Sequence, residues 1–147
     1  MKYQHILVPV DGSDISLAAL QQAASIAKAF ESKITAISLL AVDPFSGVDF
    51  YYVSPVMKDY FVEAHAQAEE TLAKAKNIGA ELGVDIETQI VKGEVSAEGI
   101  LQAAEDLKVD LIVMGSHGRK GFQKFFLGSF AQEVLGHTEL PVLIVKK

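Results

Sequence analysis

The stretch from Gly115 to Ser129, GSHGRKGFQKFFLGS, contains the residue types from which phosphate-binding loops are built. Glycine has no Cβ atom, so the backbone at a glycine can adopt positive φ and approach a ribose or a phosphate closely. Gly128 and Ser129 stand where a helix is expected to begin, and a helix N-terminus offers unpaired N–H groups and partial positive charge. Arg119 and Lys120 add positive charge, and the stretch contains no acidic residue. The combination indicates a loop that brings backbone amides to a phosphate.

Each of these residues also has a purely structural interpretation. Gly115 could simply end a strand, Ser129 could cap a helix, and the basic residues could be solvated. For a single glycine the structural interpretation is favoured, because glycine is common in loops of every kind. Neither G-x-x-x-x-G-K-[ST] nor G-x-G-x-x-G occurs, so the sequence indicates neither a P-loop NTPase nor a dinucleotide fingerprint. The ligand-binding hypothesis therefore depends on the combination of residues.

Length and composition restrict the class of protein. A chain of 147 residues, half of them apolar, has the size of one domain, 1–147, with a single core. It contains no cysteine, which excludes disulfides, thiolate metal sites and cysteine nucleophiles. The net charge of −6 argues against a general nucleic-acid or anionic-membrane surface. The apolar run Ile6–Val10 is too short for a signal peptide, so we expect a cytoplasmic protein with neither nucleic acid nor membrane as partner.

Short β-branched runs alternate with longer Ala-rich segments, a pattern typical of an α/β protein with a parallel sheet. A helix is expected after the sequence DGSD that begins at Asp11, and Ser96 is expected to cap a later one. Gly83 is expected to end the longest helix in a left-handed conformation. The expected strands are 3–10, 33–42, 85–93, 110–115 and 141–147, and the other expected helices are 56–82, 97–107 and 129–137.

The loops after the first and fourth strands should meet at one crevice. Open α/β sheets bind ligands beyond the carboxyl ends of their strands, where neighbouring connections run to opposite faces. Asp11 begins the first of these loops, and the glycine stretch forms the second. Asp11 could instead cap the first helix, a role that is compatible with ligand binding. Of the four histidines, His117 lies in the glycine stretch and could touch a ligand, whereas the others show no metal-ligand spacing.

The spacing of the glycines resembles a known family. Gly115, Gly118, Gly128 and Ser129 fit the pattern G-2x-G-9x-G-[S/T], the ATP-binding pattern of the universal stress proteins. The resemblance extends to ILVPVDGS near the start, DLIVMGSHGR before the loop and PVLIVKK at the end. It implies a single Rossmann-like domain whose open, five-stranded parallel sheet has the order 3-2-1-4-5 and helices on both faces.

The resemblance also implies a ligand and a site. The ligand would be ATP or AMP, with Mg²⁺ or Mn²⁺ bound through the phosphates and possible help from Asp11. Asp11 would face the nucleotide, and Val42 would recognise adenine through its backbone. The loop would wrap the ribose and phosphates, and the residues at the start of the following helix would hold the phosphates. The residues implied to bind nucleotide are Pro9, Val10, Asp11, Val42, Gly115, Ser116, His117, Gly118, Arg119, Lys120, Gly128, Ser129 and Phe130.

Two functions follow as alternatives. The first is a homodimeric sensor or switch that binds adenine nucleotide, and the second is a non-catalytic dimeric interaction module whose loop no longer binds. The sequence shows no base or water-positioning residue, so ATP hydrolysis or autophosphorylation would at most be slow. The last strand would lie at a sheet edge, where pairing with a second subunit would cover it. The interface residues implied are Val142, Leu143, Ile144 and Val145.

Overall fold

The computed structural model of the chain describes residues 2–41, 55–117 and 127–146. Strands and helices alternate through these ranges, as the sequence predicts. The strands are β1 (His5–Pro9), β2 (Lys33–Ala41), β3 (Ile86–Gly93), β4 (Leu111–Gly115) and β5 (Val142–Val145), and the helices are α1 (Asp14–Phe30), α2 (Pro55–Leu82), α3 (Ala97–Leu107) and α4 (Ser129–His137).

The five strands form a parallel sheet in the order β3-β2-β1-β4-β5, which confirms the predicted topology. One core cluster joins α1 and α2 to alternate residues of the strands, among them Ile6 and Val8. A second cluster joins α3 and α4 to residues of opposite parity, among them Leu7 and Ile112. Because side chains alternate across a strand, the helices lie in two layers, one on each face of the sheet.

Strand β2 is longer than its neighbour β1, and this difference opens the sheet at one end. The two strands pair from His5 opposite Lys33 to Pro9 opposite Ile37. Strand β2 then continues through Ala41 while still paired with β3. The residues of β2 beyond Ile37 therefore have no β1 residue beside them, and a crevice lies at the carboxyl end of β1.

Local signals explain where the helices begin and end. Ser13 is the N-cap of α1, and its side chain accepts a hydrogen bond from the Ser16 amide. Gly83 follows α2 and has a left-handed backbone conformation, with a φ of +77°, as predicted for the C-terminus of this helix. Ser96 occupies the N-cap position of α3, which confirms the predicted position of the cap, but its hydroxyl makes no hydrogen bond to any described residue. The Gly99 amide instead donates to the main-chain oxygen of Ser96, at 3.1 Å.

None of the helices in the described ranges is both long and apolar enough to cross a lipid bilayer.

Candidate functional site

A cavity of about 740 Å³ lies at the carboxyl ends of β1, β2 and β4. It is the crevice that the sequence predicts, because the loops after β1 and β4 both border it. Of the predicted nucleotide-binding residues, Val42, Gly118, Arg119 and Lys120 lie outside the described residues, and Ser116 is buried beside the cavity without lining it. The predicted residues that line it are Pro9, Val10, Asp11, Gly115, His117, Gly128, Ser129 and Phe130.

Asp11 supports the N-terminus of α1 at one side of the cavity. Its Oδ1 atom accepts hydrogen bonds from the amide of Ser13, at 2.9 Å, and from the hydroxyl of Ser13, at 2.5 Å. The Ser13 hydroxyl in turn accepts from the Ser16 amide, at 3.2 Å. The cap of α1 is therefore Ser13, and Asp11 is the residue that orients it. Gly12 makes this short turn possible with a φ of +83°.

Gly115 ends β4 in close contact with α1. A Cβ atom at this position would lie 3.1 Å from two side-chain carbons of Ile15 and 3.3 Å from the His117 carbonyl oxygen. Among the described glycines, Gly12, Gly83 and Gly93 have positive φ, and Gly115 does not. Gly115 thus ends a strand, as its structural interpretation has it, and the reason for glycine here is close packing and not positive φ.

Gly128 joins the start of α4 to the turn after β4. Its amide donates a hydrogen bond to the Ser116 carbonyl oxygen, at 2.6 Å. A Cβ atom at Gly128 would lie 3.0 Å from that oxygen and 3.2 Å from the His117 Cα atom. The two ends of the predicted loop are thus held against each other, and a side chain at Gly128 would force them apart.

The N-terminus of α4 opens onto the cavity without a side-chain cap. Gly128 occupies the N-cap position with φ −63° and ψ 159°, and as a glycine it has no side chain to donate or accept. Ser129 is therefore the first helical residue, and the capping interpretation of Ser129 is wrong. Within the described ranges, the Ser129 amide has no acceptor. Since the first-turn amides of a helix carry partial positive charge, this end of α4 can accept an anion.

His117 lines the cavity, whereas His5 lies at the opposite end of the sheet. The His5 ring donates from Nδ1 to the Leu107 carbonyl oxygen, at 3.1 Å, and accepts at Nε2 from the Thr35 hydroxyl, at 2.8 Å, if Nδ1 carries the proton. Burial lowers the pKa of His5 below its usual value of 6.5. His5 is a structural residue that fixes β1 against its surroundings.

The sequence did not indicate the part of the lining that comes from β2, α2 and α3. In α2 these residues recur three or four positions apart, so one face of the helix borders the cavity. Tyr60 belongs to this face and is 62% exposed, so it borders the cavity mouth and is not buried packing. The residues added by the structure include Ser16, Ser38, Leu39, Leu40, Tyr60, Ala64, Gln67, Thr71, Val95, Ile100 and Met114.

Three features of the lining suit a ligand with both anionic and apolar parts. The lining combines uncapped helix amides for phosphate, two positions where a Cβ atom would crowd the backbone, and apolar side chains such as Ile37 and Met114. No Lys or Arg belongs to the described lining, so its positive potential comes from α4. Asp11 is a carboxylate at its edge, and the described residues hold no cluster of three or more metal-ligating side chains.

Comparison with known proteins identifies the family. The model of the universal stress protein family matches residues 2–146. Universal stress protein MJ0531 of Methanocaldococcus jannaschii is 39% identical over 149 aligned residues, covering 99% of this chain and 83% of its own. The solved structure of universal stress protein UspA from Lactobacillus plantarum has a TM-score of 0.81 and 26% identity, with 99% of each chain covered.

A second solved structure is a universal stress protein in complex with cAMP. It has a TM-score of 0.72 and 28% identity, and the match covers 99% of this chain and 98% of that one. The family match thus extends over all three described ranges, including both loops that border the cavity. The chain belongs to the universal stress protein family.

Proposed function

We propose that this protein binds an adenine nucleotide, ATP or AMP, in the cavity at the carboxyl end of the sheet, and that it acts as a sensor or switch. The observation that carries the proposal is the uncapped N-terminus of α4, which faces the same cavity as the close glycine contacts at Gly115 and Gly128. A relative of 28% identity was solved with cAMP, which supports an adenine nucleotide as the ligand class.

The described residues suggest how the ligand is divided over the cavity. The phosphates lie at the amides of Ser129 and Phe130, where the dipole of α4 stabilises negative charge. The ribose lies near Gly115, which lines the cavity at the end of β4. Adenine lies against Pro9 and Val10. The proposed contacts of Val42, Gly118, Arg119 and Lys120 lie outside the described residues and remain predictions.

Mg²⁺ or Mn²⁺ would bind through phosphate oxygens, with Asp11 as the protein carboxylate. Hard divalent ions take oxygen ligands and often bind through substrate phosphates and one or two carboxylates. Asp11 is the acidic residue among the described residues that line the cavity. We expect Mg²⁺ to strengthen ATP binding more than AMP binding, because ATP offers more phosphate ligands.

We also propose a cytoplasmic homodimer formed through β5. Strand β5 is an edge of the sheet, and Leu143 on it is 38% exposed. An unpaired edge strand with exposed apolar side chains favours pairing with another chain, and a symmetric contact closes both edges. Val142, Leu143, Ile144 and Val145 would form this contact. The same surface would serve the second candidate function, a dimeric interaction module that does not depend on nucleotide.

The test begins with the native protein. Heat denaturation followed by chromatography identifies any nucleotide that co-purifies, and calorimetric titration of the stripped protein with ATP and AMP, with and without Mg²⁺, measures affinity. A micromolar dissociation constant corresponds to roughly −8 kcal/mol and supports a working site. No co-purified nucleotide and no binding at millimolar ATP would contradict the proposal and favour the interaction module.

A matched pair of variants locates the binding. Ala64 is half-buried and lines the cavity from α2, whereas Ala66 is exposed on the same helix and does not line it. Ala64→Phe fills the cavity and should weaken ATP binding at least tenfold. Ala66→Phe makes the same change in side-chain volume and should leave binding unchanged. Equal binding by the two variants would place the nucleotide elsewhere.

A further inference from the structure

Strand β5 ends beside the N-terminus of α4, at the same end of the sheet as the cavity. Strands β4 and β5 are parallel, with Gly115 opposite Val145. The Ser116 amide donates to the Val145 carbonyl oxygen, at 2.9 Å, and the Ser116 carbonyl oxygen accepts from the Gly128 amide, at 2.6 Å. Two main-chain hydrogen bonds therefore connect the end of β5 to the N-cap of α4, and Lys146 is the residue that follows β5.

The register of β4 and β5 continues for one residue beyond the two strands. The Ile112 amide donates to Pro141, the residue just before its partner in β5. This offset is the regular hydrogen-bond pattern of a parallel pair. The Ser116 amide donates to Val145 in the same way, so Ser116 lies opposite Lys146.

Ser116 and Lys146 lie on the α4 side of the sheet. Met114 and Ile144, two positions before them, pack in the core under α3 and α4. Because side chains alternate along a strand, residues two positions apart share a face. Neighbouring strands lie only about 4.8 Å apart. The flexible side chain of Lys146 therefore begins next to Ser116, on the face where α4 starts.

Both side chains lack a partner within the part of the chain that the structure describes. Ser116 is 1% exposed, and its hydroxyl makes no hydrogen bond there. Lys146 is exposed and forms no ion pair with another described residue. A buried hydroxyl usually has a partner, because burial without one costs free energy. An anion at this point would accept hydrogen bonds from both groups, and the dipole of α4 would stabilise its charge.

The position of the two residues restricts which part of a nucleotide could meet them. Neither Ser116 nor Lys146 belongs to the cavity lining, whereas Gly115 and Gly128 beside them do. In the proposed site the ribose and the phosphate attached to it lie within the cavity. A phosphate that reaches the end of β5 must therefore be further along the phosphate chain. AMP ends at its first phosphate, whereas ATP carries two more.

We propose that Lys146 and Ser116 bind the terminal phosphate of ATP and so make the site specific for ATP over AMP. The inference rests on the proposed nucleotide site. The Lys146 ammonium group pairs with the charge of this phosphate, and the Ser116 hydroxyl donates a hydrogen bond to one of its oxygens. Strand β4 separates Lys146 from Asp11, the acidic residue of the described lining, so the two opposite charges act on different parts of the ligand.

The test measures the affinities for ATP and for AMP by calorimetric titration with Mg²⁺ present. Lys146→Met removes the charge and should weaken ATP binding about tenfold while AMP binding stays the same. Lys146→Arg keeps the charge and should retain the preference for ATP. Lys108→Met is the matched control, because Lys108 is exposed at the C-terminus of α3, at the opposite end of the sheet.

Ser116→Ala tests the second group independently. The substitution keeps the main-chain hydrogen bonds and removes a buried hydroxyl without a partner, so the melting temperature should be unchanged or higher. ATP binding should nevertheless weaken about tenfold, and AMP binding should not. A purely structural role for Ser116 would instead change the melting temperature and affect both nucleotides alike.

The outcomes separate this inference from the proposed function. If ATP binds to the wild-type chain but Lys146→Met weakens both nucleotides equally or weakens neither, the inference is overturned and the nucleotide site stands. If neither ATP nor AMP binds to the wild-type chain, both proposals fail. Salt supplies a second measurement: because Lys146 is exposed, the difference between wild type and Lys146→Met should narrow as KCl is added. A difference that does not depend on salt would contradict the ion pair.

Discussion

Ser129→Pro removes one backbone amide from the N-terminus of α4 and should leave the fold intact. Ser129 is the first residue of the helix, the position at which proline is best tolerated, because its missing N–H would have no intrahelical partner. Gly128 has φ −63° and ψ 159°, an extended conformation that a following proline requires. Within the described ranges the Ser129 amide has no acceptor, so the substitution breaks no hydrogen bond there. The variant should therefore melt close to the wild-type temperature.

The expected cost is that of one charge-assisted hydrogen bond to a phosphate. Such a bond contributes about 1.5–3 kcal/mol, and each 1.4 kcal/mol corresponds to about a factor of ten in affinity. Ser129→Pro should thus weaken ATP binding by roughly 10- to 150-fold. Ser129→Ala keeps the amide and removes only the hydroxyl, so it separates the contributions of the two groups.

The assay is calorimetric titration of both variants with ATP and with adenosine. Adenosine has no phosphate, so its affinity should be the same for Ser129→Ala and Ser129→Pro. The reasoning is refuted if both variants bind ATP equally while the melting temperatures show that both are folded. That result would mean that the α4 N-terminus does not bind the phosphates.

Three further predictions concern stability and assembly. Burial lowers the pKa of His5 below 6.5, so the imidazole is protonated in the unfolded chain at a higher pH than in the folded one. The free energy of unfolding should therefore fall as pH drops below about 6.5, and His5→Gln should reduce this dependence of stability on pH in melts recorded at several pH values. Gly79→Ala would place a Cβ atom 2.6 Å from Ile86 Cδ1 and should destabilise by about 1–3 kcal/mol, whereas Gly136→Ala meets nothing within 4 Å and should stabilise by up to about 1 kcal/mol. A Gly79→Ala variant that is as stable as the wild type in urea unfolding, or a Gly136→Ala variant that is less stable, would contradict the packing argument. Leu143→Glu should convert the proposed dimer to a 15.9 kDa monomer in analytical ultracentrifugation, and a wild-type chain that is monomeric at micromolar concentration would refute the dimer.

The order of elements could be predicted from sequence because each signal is local. The apolar run Leu111–Gly115 formed the interior strand β4, while Gly83 marked the end of α2 by its left-handed backbone. Strand β3 carries polar residues between its apolar ones, which suits its position at an edge of the sheet. The sheet order itself depended on the family resemblance, because alternation of strands and helices does not determine which strands are neighbours.

Residue roles that depend on tertiary contacts could not be predicted in the same way. From sequence, Gly115 could serve either ligand approach or the end of a strand, but the contact that requires glycine there comes from Ile15 on α1. Ser96 matched the sequence signal for a helix cap, yet the Ser96 carbonyl oxygen accepts the Gly99 amide and the hydroxyl makes no bond to the described chain. Ser38 belonged to a predicted strand, and it lines the cavity because β2 extends beyond the end of β1.

The hydrogen bond between the Gly128 amide and the Ser116 carbonyl oxygen has a consequence for protein engineering. This bond joins the chain segments that precede and follow residues 118–126. Such closely spaced ends are what the insertion of a second domain requires, since the termini of many domains are themselves close together. The entropy of closing a longer segment rises slowly, by about 0.6 kcal/mol for each doubling of length. A fluorescent protein inserted between these two residues would therefore lie beside the proposed nucleotide site, and the chain could be developed into an optical reporter of its own ligand.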